Sequence, residues 1–369
     1  EFHLVQYSFS LDDQIDFAKL SGDYNPIHVD PVKARRTRFG HPVVHGIHVL
    51  LWALETLVAS KSNFLKLVSL RAYFNKSIEM GEIVQFFIKN EDETCAEIQL
   101  FSKNEQVTRI LVSYLPCGTE EYLIIPDSNP EAQECLDLSS EQLAKAVGSL
   151  DLCLKKSETT QRFPNLMRVF PSIQLAELMA LTRLVGMECP GLRSIFSNLN
   201  IDFTYPCEGE PCLNYRVLSY DSRFGLLTQN VQAPSIAGTL RAFIRPSPQN
   251  QKSYLELSKL VKKGEFCDQT ALIIGGSRGL GEVAGKLLAA GGARVVISYN
   301  LGVKDASIIV KEILQGAGDA TCIEFNTLCP NSLRKEDFDR DRIPTHLYYF
   351  ATPLISQGQK NLFCSSLFQ

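Results

Sequence analysis

Histidine is scarce in this chain, with six in 369 residues and none between His48 and His346. The long middle of the chain therefore has no imidazole to offer as a base or a ligand. Cysteine is more plentiful, at eleven, but no two stand in a CxxC pair, and the nearest are Cys207 and Cys212. With so few histidines as co-ligands, no structural zinc site is expected, and the thiols read as reduced cysteines of a cytoplasmic protein. An excess of cations is also missing. The net charge of -4 predicts no general affinity for nucleic acid or an anionic membrane. No stretch reads as a signal peptide. The longest apolar tract, Val43 to Ala59, is interrupted by His45, His48 and Glu55, so it reads as a buried helix and not a membrane span.

What is present is ordinary for globular protein, with 45% hydrophobic and 21% charged residues, which excludes global disorder. The length suits two or three domains. The chain opens on Glu1 and not Met, which reads as a fragment or a processed product.

Three blocks follow one another. The first predicts a helix over 11–20, a long apolar helix over about 46–60, and then alternating runs such as "LVSLRAYFNKSI", "EIVQFFIKNE", "CAEIQLFSKN" and "VTRILVSYL". Their short length and turn-rich borders predict an antiparallel sheet. A polar connector with Pro126 and Pro130 leads to a second block in the same order, with the helix "PSIQLAELMALTRLVGM" and then four more alternating runs. The repeat lies in element order, because sequence identity between the halves is slight. After the linker "RPSPQNQKS", a third block, "TALIIGGSRGLGEVAGKLLAAGGARVVISYN", reads as strand, Gly-rich turn, helix and strand, the opening of a parallel α/β domain.

The densest chemistry sits in "SGDYNPIHVDPVKARRTRFGHPVVHG", Ser21 to Gly46, which holds an Asp, an Asn-Pro, three histidines and a Gly directly after the last of them. Its "SGDYNPIHVD" and "HPVVHG" resemble the MaoC-like (R)-specific enoyl thioester hydratases and dehydratases over roughly residues 1–118. The resemblance implies a hot-dog fold and reversible hydration of trans-2-enoyl thioesters, or dehydration of (3R)-3-hydroxyacyl thioesters, carried by coenzyme A or an acyl carrier protein. It implies no cofactor for that reaction and no metal. It makes Asp23 and His28 the acid and base pair and Gly46 the backbone donor to the enolate-like oxygen. Gly46 suits that role because a helix start leaves N–H groups unpaired. Asn25 and His45 are expected to orient the loop, and His41 and His48 are set aside as incidental. Arg35 and Arg36, within "KARRTR", suit a phosphate of coenzyme A or the acidic face of a carrier protein; a solvated basic face is an equal alternative. One departure stands out. Several relatives place a Ser near the position of Leu54, so a polar support for the acidic residue is expected to be missing.

The second block has no histidine and is expected to be a degenerate hot-dog that supplies a pseudo-dimer interface and part of an acyl tunnel. In the third block, "IGGSRGLG" resembles the cofactor loop of short-chain dehydrogenase/reductases, which makes Gly275, Ser277, Arg278, Gly279 and Gly281 candidate cofactor contacts. No acidic residue occurs from Val283 to Lys304, so NADP is favoured over NAD if a nucleotide binds. The YxxxK pair and the Asn-Asn-Ala-Gly segment of that family have no match, so ketone reduction by its mechanism is not expected.

The expected architecture is thus an α+β tandem hot-dog, with antiparallel sheets each wrapped on a long helix, and a C-terminal α/β Rossmann-like partial domain. The boundaries are 1–118 for the catalytic hot-dog, 119–246 for the degenerate one, 247–265 for a linker and 266–369 for the partial reductase-like domain. Two alternatives stay open: a non-catalytic acyl-thioester binding or assembly module, and the remnant of a bifunctional dehydratase and NADP-dependent 3-oxoacyl reductase. A homodimer is compatible with either.

Overall fold

The structure, a computed structural model, describes residues 5–35, 37, 39–118, 123–204, 210–247, 250–329, 331, 333, 338 and 343–351. The chain divides into two compact units, residues 1–247 and 248–369.

The first half of unit one runs β1 (Val5–Ser8), α1 (Leu11–Ser21), α2 (Pro26–Val29), α3 (Pro31–Ala34), α4 (Gly46–Val58), β2 (Leu65–Phe74), β3 (Ile83–Glu91), β4 (Cys95–Ser102) and β5 (Glu105–Pro116). The second half runs α5 (Ser140–Lys145), β6 (Val147–Asp151), α6 (Lys156–Arg162), α7 (Pro164–Val169), α8 (Ser172–Arg183), β7 (Ser194–Phe203), β8 (Cys212–Asp221), β9 (Leu226–Gln232) and β10 (Ile236–Ile244). All ten strands form one antiparallel sheet in the order β1-β3-β4-β5-β2-β7-β10-β9-β8-β6. Read outward from its centre the order is the same on both sides, with β2 answering β7, β5 answering β10, and β1 answering β6. This is the repeat that element order implied. The halves join where β2 pairs with β7, from Ser69 opposite Asp202 to Tyr73 opposite Asn198.

The strands form because apolar residues alternate. In β8, Leu213, Tyr215 and Val217 face the core while Asn214 and Arg216 face out, the two-residue period of a half-buried strand. The helices have a different pattern. From Ser172 to Thr182 every residue of α8 is buried, and most of α4 is too, so each is enclosed on all sides. Leu50, Leu51 and Leu54 of α4 share one core with Leu175, Leu178 and Leu181 of α8. The architecture is a tandem hot-dog. No helix of the described residues is long and apolar enough to cross a membrane.

Unit two holds α9 (Tyr254–Leu257), β11 (Thr270–Ile274), α10 (Gly279–Ala290), β12 (Arg294–Tyr299), α11 (Val303–Gln315), β13 (Asp319–Glu324) and β14 (His346–Tyr349). Its four strands are parallel in the order β13-β12-β11-β14. The expected linker over 247–265 is helical at Tyr254–Leu260, where Ser253 and Glu256 form a reciprocal cap. A capping box of this kind starts a helix in a segment whose composition otherwise reads as linker.

Candidate active site

The loop that carries the candidate acid and base is shaped from both ends. Helix α1 starts with a capping box between Ser10 and Asp13 and ends at Gly22, whose φ of 79° lies in the left-handed region. A Cβ at Gly22 would stand 2.7 Å from Arg183 Cδ and 2.8 Å from Pro130 Cβ, so both conformation and space require glycine there. The chain then turns inward and buries Asp23, which is 1% exposed. Asn25 caps α2, with Oδ1 accepting from Ile27 N at 3.1 Å, and Pro26 occupies the first helical position, where its missing N–H costs nothing. The other end of Asn25 crosses to the second half. Nδ2 donates to the carbonyls of Gly186 at 2.9 Å and Gly191 at 3.2 Å. Asn25 therefore bridges the loop to the second half.

His28 Nδ1 lies 2.7 Å from the Val43 carbonyl. A carbonyl only accepts, so Nδ1 carries the hydrogen and Nε2 is left with its lone pair. Burial, and then the neighbouring His45, push His28 down to about 3, against the pull of Asp23, so the ring is neutral near neutral pH and its Nε2 lone pair is open. Asp23 is shifted the opposite way. Burial raises its pKa, opposed by His28, by the Thr182 hydroxyl and by the Asn25 amide. The acid and the base are thus each biased toward the uncharged form, as a proton-exchanging pair in a dry site would be.

Thr182 Oγ1 donates to Asp23 Oδ2 at 2.6 Å, and Asn25 N donates to Oδ1 at 3.2 Å. This corrects the expectation of a missing support. Leu54 is indeed apolar and buried, but the hydroxyl arrives from α8 of the other half. Just beyond Thr182, α8 widens into a π-helical turn over Leu184–Glu188, a feature frequent at functional sites. That turn places Gly186 against the carboxylate, where a Cβ would stand 2.1 Å from Asp23 Oδ1. The second half has no catalytic pair, yet it supplies the hydroxyl, the glycine and two carbonyls that hold the first half's loop.

His45 caps α4 by position and stacks on His28, with ring centroids 3.9 Å apart and planes at 26°. Gly46, the next residue, opens α4, whose first-turn amides have no intrahelical acceptor. A Cβ at Gly46 would lie 3.3 Å from the Phe74 ring, so glycine lets that ring close on the helix start. His48, set aside on sequence grounds, is 1% exposed and hydrogen-bonded to Gln14. His41 pairs with Glu79 at 3.1 Å away from the loop carboxylate. Arg35 stands at the end of α3, and Arg36 lies outside the described residues. Sequence reasoning missed Gln14, Thr182 and Gly186. The one signal available was a threonine and a glycine in a mostly apolar helical stretch.

Asp23, His28 and His45 each bring one ligand-type atom within 4.8 Å of the others. Both nitrogens of His45 are engaged, with Gln14 Oε1 at 2.8 Å and the Asp23 carbonyl at 3.0 Å, and His28 Nδ1 is held by Val43. One imidazole nitrogen and one carboxylate remain, fewer than the three or four protein ligands of a zinc site. In unit two, the turn between β11 and α10 brings Gly275, Ser277, Arg278, Gly279 and Gly281 together. Gly275 and Gly279 have φ of 78° and 60°, and a Cβ at Gly281 would stand 2.3 Å from the Gly275 carbonyl. Ser298 Oγ accepts from Gly275 N at 3.1 Å, and Arg278 stands at the N-cap position of α10.

The comparisons with known proteins bear on the first half of unit one. Residues 4–111 match the MaoC-like domain family. The (R)-specific enoyl-CoA hydratase of Aeromonas caviae is 34% identical over 91 residues, 24% of this chain and 60% of that protein. The peroxisomal multifunctional enzyme type 2 of Drosophila melanogaster is 40% identical over 55 residues, 15% of this chain and 9% of that protein. The matched segments thus span less than two thirds of either relative. Among solved structures, a MaoC-like dehydratase aligns over 66% of this chain and 97% of its own, with 12% identity and a TM-score of 0.42. Residues 4–111 thus resemble the MaoC-like dehydratase domains, and that segment coincides with the first half of unit one.

Proposed function

We propose that this chain hydrates trans-2-enoyl thioesters and, in reverse, dehydrates (3R)-3-hydroxyacyl thioesters, with acyl-coenzyme A or an acyl carrier protein as carrier. The observation that carries this reading is the pairing of a neutral His28 with open Nε2 and a buried Asp23 beside the unpaired amides that open α4. In the forward direction His28 Nε2 takes a proton from water as the water oxygen bonds to C3. The C2–C3 π electrons move toward the thioester oxygen, which the Gly46 N–H stabilises. Asp23, in its carboxylic acid form, then delivers a proton to C2. Transfer of the His28 proton to Asp23 restores the pair, so one water is consumed and no group is left over. An amide donor aimed at such an oxygen contributes about 3–4 kcal/mol in comparable sites. The basic residues Arg35 and Arg36 are assigned to the carrier's phosphates.

Unit two is assigned a nucleotide, NADP in preference to NAD. The support is a Gly-rich turn between a parallel strand and a helix, with Arg278 in the turn and no acidic residue from Val283 to Lys304. In a longer parent this unit would act on the adjacent oxidation level of the same acyl chain.

The test is the loss of enoyl-thioester ultraviolet absorbance on adding protein to short and medium enoyl-coenzyme A, with Asp23→Asn as control. Decay abolished by the substitution supports hydration. Absence of decay with coenzyme A and with carrier-linked substrates alike would favour a non-catalytic acyl-binding module.

A further inference from the structure

Behind the acid and base pair runs a chain of buried polar groups that the proposed reaction does not consume. Gln14 Oε1 lies 3.0 Å from the backbone N of His45 and 2.8 Å from His45 Nδ1. The backbone N–H can face only the oxygen end of the amide, which fixes how Gln14 is turned. Its Nε2 end then meets His48 Nδ1 at 3.1 Å. His48 Nε2 in turn lies 3.3 Å from Arg162 Nη2, which pairs with Asp13 Oδ1 at 2.5 Å. Gln14 and His45 have no exposed surface, and His48 has 1%. Phe17 stacks on His48 with planes at 6° and meets His45 edge-on, so neither ring has room to turn freely.

A glutamine on the buried face of α1 is costly unless both ends of its amide are bonded. A leucine would fill the same core position without that cost. Here both ends are spent on two histidine rings, one of which stacks on His28 and contacts the Asp23 main chain. We propose that Gln14 is a positioning residue for the Asp23–His28 pair: its oxygen keeps a hydrogen on His45 Nδ1 and so holds the ring plane against which His28 is stacked. The second nitrogen of His45 lies 3.0 Å from the Asp23 carbonyl, which also only accepts, so that contact is a hydrogen bond only when the ring carries both hydrogens. Arg162 and Asp13 form the outer anchor of the chain. Catalytic geometry is sensitive on this scale, since a misplacement of about 1 Å can cost about a hundredfold in rate.

The inference rests on the hydration reading, and its test separates the two. Gln14→Leu and Gln14→Glu are compared with the wild-type chain by enoyl-thioester kinetics and by nitrogen NMR of the imidazoles. In the wild type the His45 Nδ1 should carry a hydrogen. Gln14→Leu should lose that signature and lower kcat about ten- to a hundredfold with little change in KM. Gln14→Glu, which keeps an oxygen in place, should retain the signature and most of kcat. A bare Nδ1 in the wild type overturns the positioning role without any variant. So does a Gln14→Leu chain with unchanged kcat, or one that loses rate while the Nδ1 signal persists. If Leu prevents folding, loss of the signature in a folded Gln14→Glu chain overturns it equally. A wild type that turns over no enoyl thioester, coenzyme A or carrier-linked, overturns the hydration reading instead, and the NMR comparison still decides the role of Gln14.

Discussion

Replacing Thr182 by valine removes one hydroxyl and leaves the side-chain volume almost unchanged, which isolates the bond to Asp23 Oδ2. That bond is 2.6 Å long and fully buried. A hydrogen bond to a charged group is worth about 1.5–3 kcal/mol, and the carboxylate gains more from it than the neutral acid does. Burial already holds the Asp23 pKa above its ordinary value, and the Thr182 bond opposes that rise. The valine variant should therefore raise the pKa further. A carboxyl whose folded pKa exceeds its unfolded value binds more protons when folded. It costs nothing below the unfolded pKa, and stability falls as pH rises through the folded value. The loss caused by Thr182→Val should thus be small at pH about 4 or below and reach about 1.5–3 kcal/mol once Asp23 is ionised. Denaturant unfolding of both proteins at acid and at mildly alkaline pH reads this difference directly, because other titrating groups cancel between them. Thr182→Ser should restore most of it. Equal destabilisation at both pH values would show that the threonine serves packing alone and would refute the argument.

Three other contacts lead to measurable outcomes. Gly186→Ala would place a Cβ 2.1 Å from Asp23 Oδ1, so it should cost about 1–3 kcal/mol in unfolding experiments and abolish most turnover. Glu177 is fully buried and bonded by the Ser235 amide and hydroxyl, and burial lifts it to about 7. Stability should therefore fall by about 3 kcal/mol as pH rises from about 4.5 through about 7, and Glu177→Gln should flatten that slope in denaturant titrations at several pH values. Gly281→Ala would press a Cβ to 2.3 Å from the Gly275 carbonyl, so it should lower the melting temperature of unit two and, under the nucleotide proposal, weaken NADP binding in a fluorescence titration.

Much of this molecule is legible locally. The Ser10–Asp13 cap, the left-handed Gly22 and the Asn25–Pro26 start of α2 are short-range devices, and they shape the Asp23–His28 loop within about twenty residues. The alternation in β8 and the apolar runs of α4 and α8 likewise predict their elements, because side-chain period follows backbone geometry. The missed short helices α2 and α3 are single turns, too brief for a period to show.

The amino-acid sequence by itself therefore determined the loop that carries Asp23 and His28, the glycine that opens α4, and that two similar halves follow one another. Only the tertiary structure decided that the second half completes the site. Thr182 and Gly186 lie about 160 positions from Asp23 in the chain. In α8 and the turn that follows it they read as ordinary members of a buried helix, and nothing in their neighbours marks a ligand. They meet the carboxylate because β2 pairs with β7 and brings α8 against the loop after α1. Gln14 is hidden for the same reason, since a polar residue on an amphipathic helix declares its partners only once the rings of α4 are packed against it. Short-range steric and hydrogen-bond rules write the loop. The support around it depends on which faces the folded core brings together.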